Sequence, residues 1–213
     1  DGLVARYANA PHDPPNQPTP AAMLASTDPL YISPANYLAG ELVSPIRHEY
    51  RQGEVFAMTG GTQIHATIVL NLATALKLHL RGSGCRPFSE NMKVQLEAVN
   101  AFYYPELVVT CDERDNQPTQ TFIAYPCLIM EVLSPSTAAF DRGEKFADYR
   151  TLPTLVEYGL VSTEGRQVDL YQRNETGQWS RASSTDANPA PVWLRSVNLE
   201  LSLDTIYEAV RLS

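Results

Sequence analysis

Two short apolar runs constrain this chain most. The first, Phe102 to Cys111, reads FYYPELVVTC, and the second, Cys127 to Thr137, reads CLIMEVLSPST. Both are rich in β-branched and aromatic residues and too short for a helix, so both read as strands. Each carries a single acid, Glu106 and Glu131. A charge inside such a run is costly to bury unless it is paired. Two strands of one sheet can bring two such acids together, and paired carboxylates suit a hard divalent cation.

The elements around these runs follow from local signals. Ser33-Pro34 opens a short helix. Arg47 to Met58 reads as a hairpin turning at Gln52-Gly53. Gly60-Gly61 breaks the chain, Thr62 caps, and Ile68, Leu72, Ala75 and Leu76 recur at helical spacing from about Gln63 to Leu80. One strand is predicted over 86–97, since Met92, Val94 and Leu96 alternate with Lys93, Gln95 and Glu97. Ser136 or Thr137 caps a helix reaching about Thr151, and Leu155 to Val161 is a further strand. Late hairpins and a closing helix near the C-terminus complete the order. Residues 1–30 carry many prolines and read as a flexible arm, leaving 31–213 as a single domain.

Bulk properties exclude some classes. No run approaches the roughly 18 apolar residues of a membrane span. Asp1 to Arg6 lacks the pattern of a signal peptide, so a cytoplasmic location is expected. Net charge is −8, which counts against a surface that grips nucleic acid all over but not against a local basic groove. The three cysteines, Cys85, Cys111 and Cys127, lack CxxC spacing and are expected to be reduced, buried thiols.

The element order and three segments together carry a family resemblance. The segments are HEYRQGEVFAMTGGTQIHATIVLNLATALKLHL (48–80), YYPELVVTCDE (103–113) and LIMEVLSPSTAAFDRGEKFADYRTLPTLVEY (128–158). The chain resembles the Uma-two branch of the PD-(D/E)XK, restriction-endonuclease-like nucleases. The resemblance implies an α/β fold with a restriction-endonuclease-like core, a mixed central β-sheet flanked by helices, and an extra N-terminal hairpin. It also implies a Mg²⁺- or Mn²⁺-dependent enzyme that hydrolyses phosphodiester bonds, with DNA as the expected partner and a homodimer as a plausible assembly.

By that resemblance Glu106, after Pro105, and Glu131 are the metal acids, and the Val132 carbonyl completes the inner set. The usual lysine position of the wider superfamily is occupied by Leu133. The branch places its lysine on the next helix, which matches Lys145. Asp141, Lys145 and Tyr149 share one helical face, as this role requires. Glu106 stands where the family usually has Asp, moving the carboxylate by about 1–1.5 Å.

Glu54 follows Gly53 in a family pair and reads either as a third site acid or as a hairpin charge. His65 reads either as a proton-transfer group or as a core-edge histidine. Two other readings stay open beside the nuclease: a binding module whose catalytic set has decayed, and a phosphohydrolase of a small substrate.

Overall fold

In the computed structural model, residues 31–58 and 60–212 are described. The expected arm, 1–30, lies outside them. The chain divides into two compact units, Asp1–Met58 and Thr59–Ser213.

In the first unit, helix α1 (Pro34–Glu41) begins as its cap predicts, with the Ser33 hydroxyl accepting the Asn36 amide at 3.2 Å. Strands β1 (His48–Arg51) and β2 (Glu54–Ala57) form the expected hairpin, with Arg51 opposite Glu54. Gln52 (φ 52°) and Gly53 (φ 99°) both take left-handed conformations, as a two-residue turn requires. A side chain at Gly53 would also run into the Tyr31 ring. The Tyr37 and Tyr50 rings stack at 5.0 Å, and the Tyr37 hydroxyl donates to the His48 carbonyl.

The second unit opens with helix α2 (Gln63–His79), which the Thr62 hydroxyl caps by accepting the His65 amide at 3.2 Å. Ile68, Val69, Leu72 and Leu76 form its buried face. The strand predicted over 86–97 is two strands, β3 (Arg86–Ser89) and β4 (Lys93–Leu96). Glu90, at φ 47°, breaks the extended backbone between them. The run bearing Glu106 is likewise split into β5 (Ala101–Tyr103) and β6 (Leu107–Thr110). Pro105 has no amide to give a ladder, so pairing stops there. Glu106 therefore stands at the entry to β6, not within a strand.

Both splits have the same cause: the chain changes sheets. β4 pairs with β5 antiparallel and with β7 (Phe122–Ile123) parallel. β3 and β6 belong to a six-stranded mixed sheet. Its remaining strands are β8 (Leu128–Val132), β9 (Glu157–Val161), β10 (Gln167–Arg173) and β11 (Trp179–Thr185), in the order β11-β10-β9-β8-β6-β3. Only β8 and β9 run parallel, and their crossover contains α3 (Ala138–Arg142) and α4 (Glu144–Tyr149). These replace the single helix expected there, because Gly143 (ψ −96°) leaves the helical region. A small hairpin, β12 (Val192–Leu194) and β13 (Leu199–Leu201), leads to α5 (Leu203–Ile206).

Side chains on β8 alternate between two cores, as strand geometry dictates. Leu128, Met130 and Val132 join Leu72, Leu76, Leu107, Val109 and Ile206 beneath α2 and α5. Ile129 and Leu133 join Val108, Phe146, Tyr149, Tyr158 and Leu160 on the α4 side. Glu131 shares the second face and is only 3% exposed. No helix of the described residues is long and apolar enough to cross a membrane.

The cysteines depart from expectation. Cys85 and Cys111 form a disulfide across β3 and β6, one residue beyond the Arg86–Thr110 pair. The register of that antiparallel pair makes residues 26 apart in sequence direct neighbours. Cys127 is a free thiol.

Buried Asp115 orders the loop between β6 and β8. Its carboxylate accepts from the Thr110 hydroxyl at 2.8 Å and from the Ala124 and Tyr125 amides at 2.9 and 3.0 Å. Asp115→Ala leaves those donors unpaired and is expected to cost about 2–3 kcal/mol in urea unfolding. A loss within error of zero would mean that water replaces the carboxylate.

Candidate active site

Glu131 is the centre of the site. Its burial follows from the alternation along β8, which points it towards α4 between Ile129 and Leu133. One carboxylate oxygen accepts from Lys145 Nζ at 3.0 Å and from the Tyr149 hydroxyl at 3.3 Å. The other accepts the Glu106 amide at 3.2 Å. Lys145 is as deeply buried, at 5% exposed. Its ammonium lies 3.7 Å from Asp141 and 5.4 Å from the centre of the Tyr103 ring. The face shared by Asp141, Lys145 and Tyr149 thus survives the break at Gly143. Tyr103 is fixed in turn, its hydroxyl donating to Asp148 at 2.6 Å, and the Tyr158 hydroxyl donates to the Asp141 carbonyl at 2.9 Å.

Glu106 has its backbone on Glu131 and its side chain on His65, whose Nε2 lies 3.0 Å from the carboxylate. The Val132 carbonyl also favours the protonated form of the His65 ring. Its pKa rises above the usual 6.5, chiefly through the Glu106 hydrogen bond, with desolvation opposing. Gly61 explains how the ring fits: a Cβ there would lie 2.7 Å from His65 Nδ1. The glycine pair before α2 therefore has a packing reason at Gly61.

The geometry brings together Glu106, Glu131, the Val132 carbonyl, Lys145 and His65. Glu54 stands exposed at the start of β2, in the first unit. Tyr103 and the Tyr149 hydroxyl were not singled out by sequence as site groups. The helical spacing of Tyr149 from Lys145 was the available signal for one, whereas nothing local marks the other. The donor chemistry, two carboxylates and a carbonyl, fits a hard cation such as Mg²⁺. Among the described residues, however, no three His, Cys, Asp or Glu side chains converge as a metal cluster. Glu106 is turned towards His65 and Glu131 towards Lys145, so a cation would have to compete with those partners.

A family model described as "Putative restriction endonuclease", Uma2, matches residues 35–205. The chain belongs to that family. Two uncharacterized proteins of Synechocystis sp. (strain PCC 6803) are similar to it. One, slr1290, is 39% identical over 179 residues, covering 84% of this chain and 93% of the relative. The other, sll1609, is 32% identical over 149 residues, covering 70% and 84%. The fold matches a crystal structure from Anabaena variabilis described as a putative nuclease belonging to DUF820. That match has a TM-score of 0.69 and 15% identity, and covers 84% of this chain and 99% of that one. It supports the expected mixed α/β nuclease fold.

Lys145→Met leaves Glu131 buried without its cation and should destabilise the protein by about 3–5 kcal/mol in denaturant unfolding. The double variant with Glu131→Gln should recover much of that loss. If the two single losses simply add, the pair is not coupled.

The His65–Glu106 pair gives a pH signature. The His65 pKa is raised on folding, so the pair stabilises fully below about pH 6.5. That contribution is lost as pH rises through the raised value. The stability difference between wild type and His65→Gln should therefore shrink above neutrality, and Glu106→Gln should lower the His65 pKa in an NMR titration. An unchanged pKa would rule out the contact.

Proposed function

We propose that this protein is a divalent-metal-dependent nuclease that hydrolyses phosphodiester bonds, with DNA as substrate. The reading takes residues 31–213 as one restriction-endonuclease-like domain, working in the cytoplasm as a homodimer so that two copies can cut two strands. The observation that carries it is Glu131, an acid buried in a sheet strand, with Lys145 and the backbone of Glu106 converging on it. Family membership and the nuclease fold support the same reading.

In this proposal Glu106, Glu131 and the Val132 carbonyl hold Mg²⁺ or Mn²⁺. When bound, the cation acidifies a water and offsets charge developing on the phosphoryl oxygens. Lys145 directs its ammonium at the attacking water or at a phosphoryl oxygen, while Glu131, Asp141 and the Tyr103 ring hold it in place. His65 Nε2 holds a proton against the Glu106 carboxylate at 3.0 Å.

One alternative has an observation of its own. Both acids already have cationic partners, His65 and Lys145, which is what a binding module on a retired nuclease fold would also show. Metal binding separates the two. For the nuclease, Mn²⁺ raises the melting temperature of wild type but not of Glu131→Ala. Plasmid DNA is nicked with Mn²⁺, and Lys145→Met reduces the rate by about 10²-fold or more. No stabilisation and no nicking would sink the proposal, and cleavage of nucleotides but not polymers would redirect it to a small phosphorylated substrate.

A further inference from the structure

At the other end of β6 and β8 from the two acids, three sulfurs meet. Cys85 and Cys111 are joined, and Cys127 Sγ lies 3.7 Å from Cys111 Sγ. Cys111 is exposed, and Cys85 and Cys127 are partly buried. Cys85 also lines a cavity of about 400 Å³, together with Lys77, Arg81, Arg86 and Asn116. Three cations at one cavity contrast with a chain of net charge −8. Arg86 is held by neutral acceptors, the Asn116 side-chain oxygen at 2.6 Å and the Asp115 carbonyl at 2.7 Å. Lys77 and Arg81 are exposed.

We propose that this cavity docks an anionic low-molecular-weight thiol, one bearing carboxylates, and that the Cys85–Cys111 disulfide is its exchange site. The inference is independent of the nuclease reading.

The step balances without any other reagent. The incoming thiolate attacks Cys85 Sγ from the cavity, forming a mixed disulfide as the Cys85–Cys111 bond breaks. The electron pair leaves on Cys111 Sγ. The neighbouring Cys127 thiol, whose proton lies between the Val109 carbonyl at 3.4 Å and Cys111 Sγ at 3.7 Å, can turn to hydrogen-bond that new thiolate. Burial pushes the Cys127 pKa up to about 11, so it stays protonated, a donor and not a rival nucleophile. A second thiolate then takes the bound thiol off Cys85 as an external disulfide, leaving Cys85 reduced. The pair of electrons reducing the bridge comes from the two external thiols. The cations favour an anionic thiol by steering it to the cavity.

The test uses full-length protein purified without reductant, first counting free thiols under denaturing conditions. One is expected, and three would overturn the proposal. The protein is then treated with reduced glutathione or with uncharged β-mercaptoethanol at equal thiolate concentration, and adducts are followed by intact mass and peptide mapping. Glutathione should appear on Cys85. The surface variant Lys77→Gln/Arg81→Gln should slow the glutathione reaction by about tenfold while leaving the β-mercaptoethanol rate within about twofold. Equal slowing of both thiols, glutathione on Cys111, or no adduct at all would each overturn it.

Discussion

A buried carboxylate has to be answered by its surroundings, and Glu131 sets that requirement for this fold. Its strand is buried throughout, and its carboxylate is almost wholly removed from solvent. The answer comes from three partners: Lys145 and Tyr149 on α4, and the backbone amide of Glu106 at the entry to β6. Each partner is itself restrained. Lys145 sits over Tyr103, Tyr103 bonds Asp148, and Tyr158 ties down the backbone at Asp141. The electrostatic need of one residue therefore specifies how the α3–α4 crossover lies on the sheet. Such a network is rigid because every member leaves a costly vacancy if it moves.

Much of this was legible in the sequence wherever the signal was local. The caps at Ser33 and Thr62, the Gln52-Gly53 turn and the apolar spacing of α2 follow from side chains acting on their own backbone. The face shared by Asp141, Lys145 and Tyr149 was also readable, since helical spacing alone defines it. The family resemblance supplied the pairing of Glu106 with Glu131, which no local pattern contains. The failures share a different cause. Periodicity cannot see a change of sheet, so 86–97 and 102–111 each looked like one strand. Pro105 was a visible warning in the second case. Glu90, a non-glycine residue in a left-handed conformation, gave none in the first.

The cysteines show the same limit from another side. Whether two thiols meet depends on the register between β3 and β6, and that register is set by long-range pairing. Spacing in the sequence carries no trace of it, so a chain without CxxC motifs looked like one with unremarkable thiols. The same antiparallel ladder, β6 on β8, separates sulfur chemistry at one end from acid chemistry at the other. Leu107, Val108 and Val109 fill the interval, paired with Met130, Ile129 and Leu128.

The corner at Pro105 also bears on the identity of the first acid. A residue within a ladder has its direction dictated by the pleat, up or down, and a shift of one position reverses it. Glu106 stands just outside the ladder, where that two-way choice does not apply. Its longer side chain is aimed by the bend of the chain and by the ring of His65. At this corner the carboxylate reaches the His65 ring, 3.0 Å away. Where the family resemblance implies Asp, Glu106 thus adds reach at a corner of the chain and does not disturb a ladder.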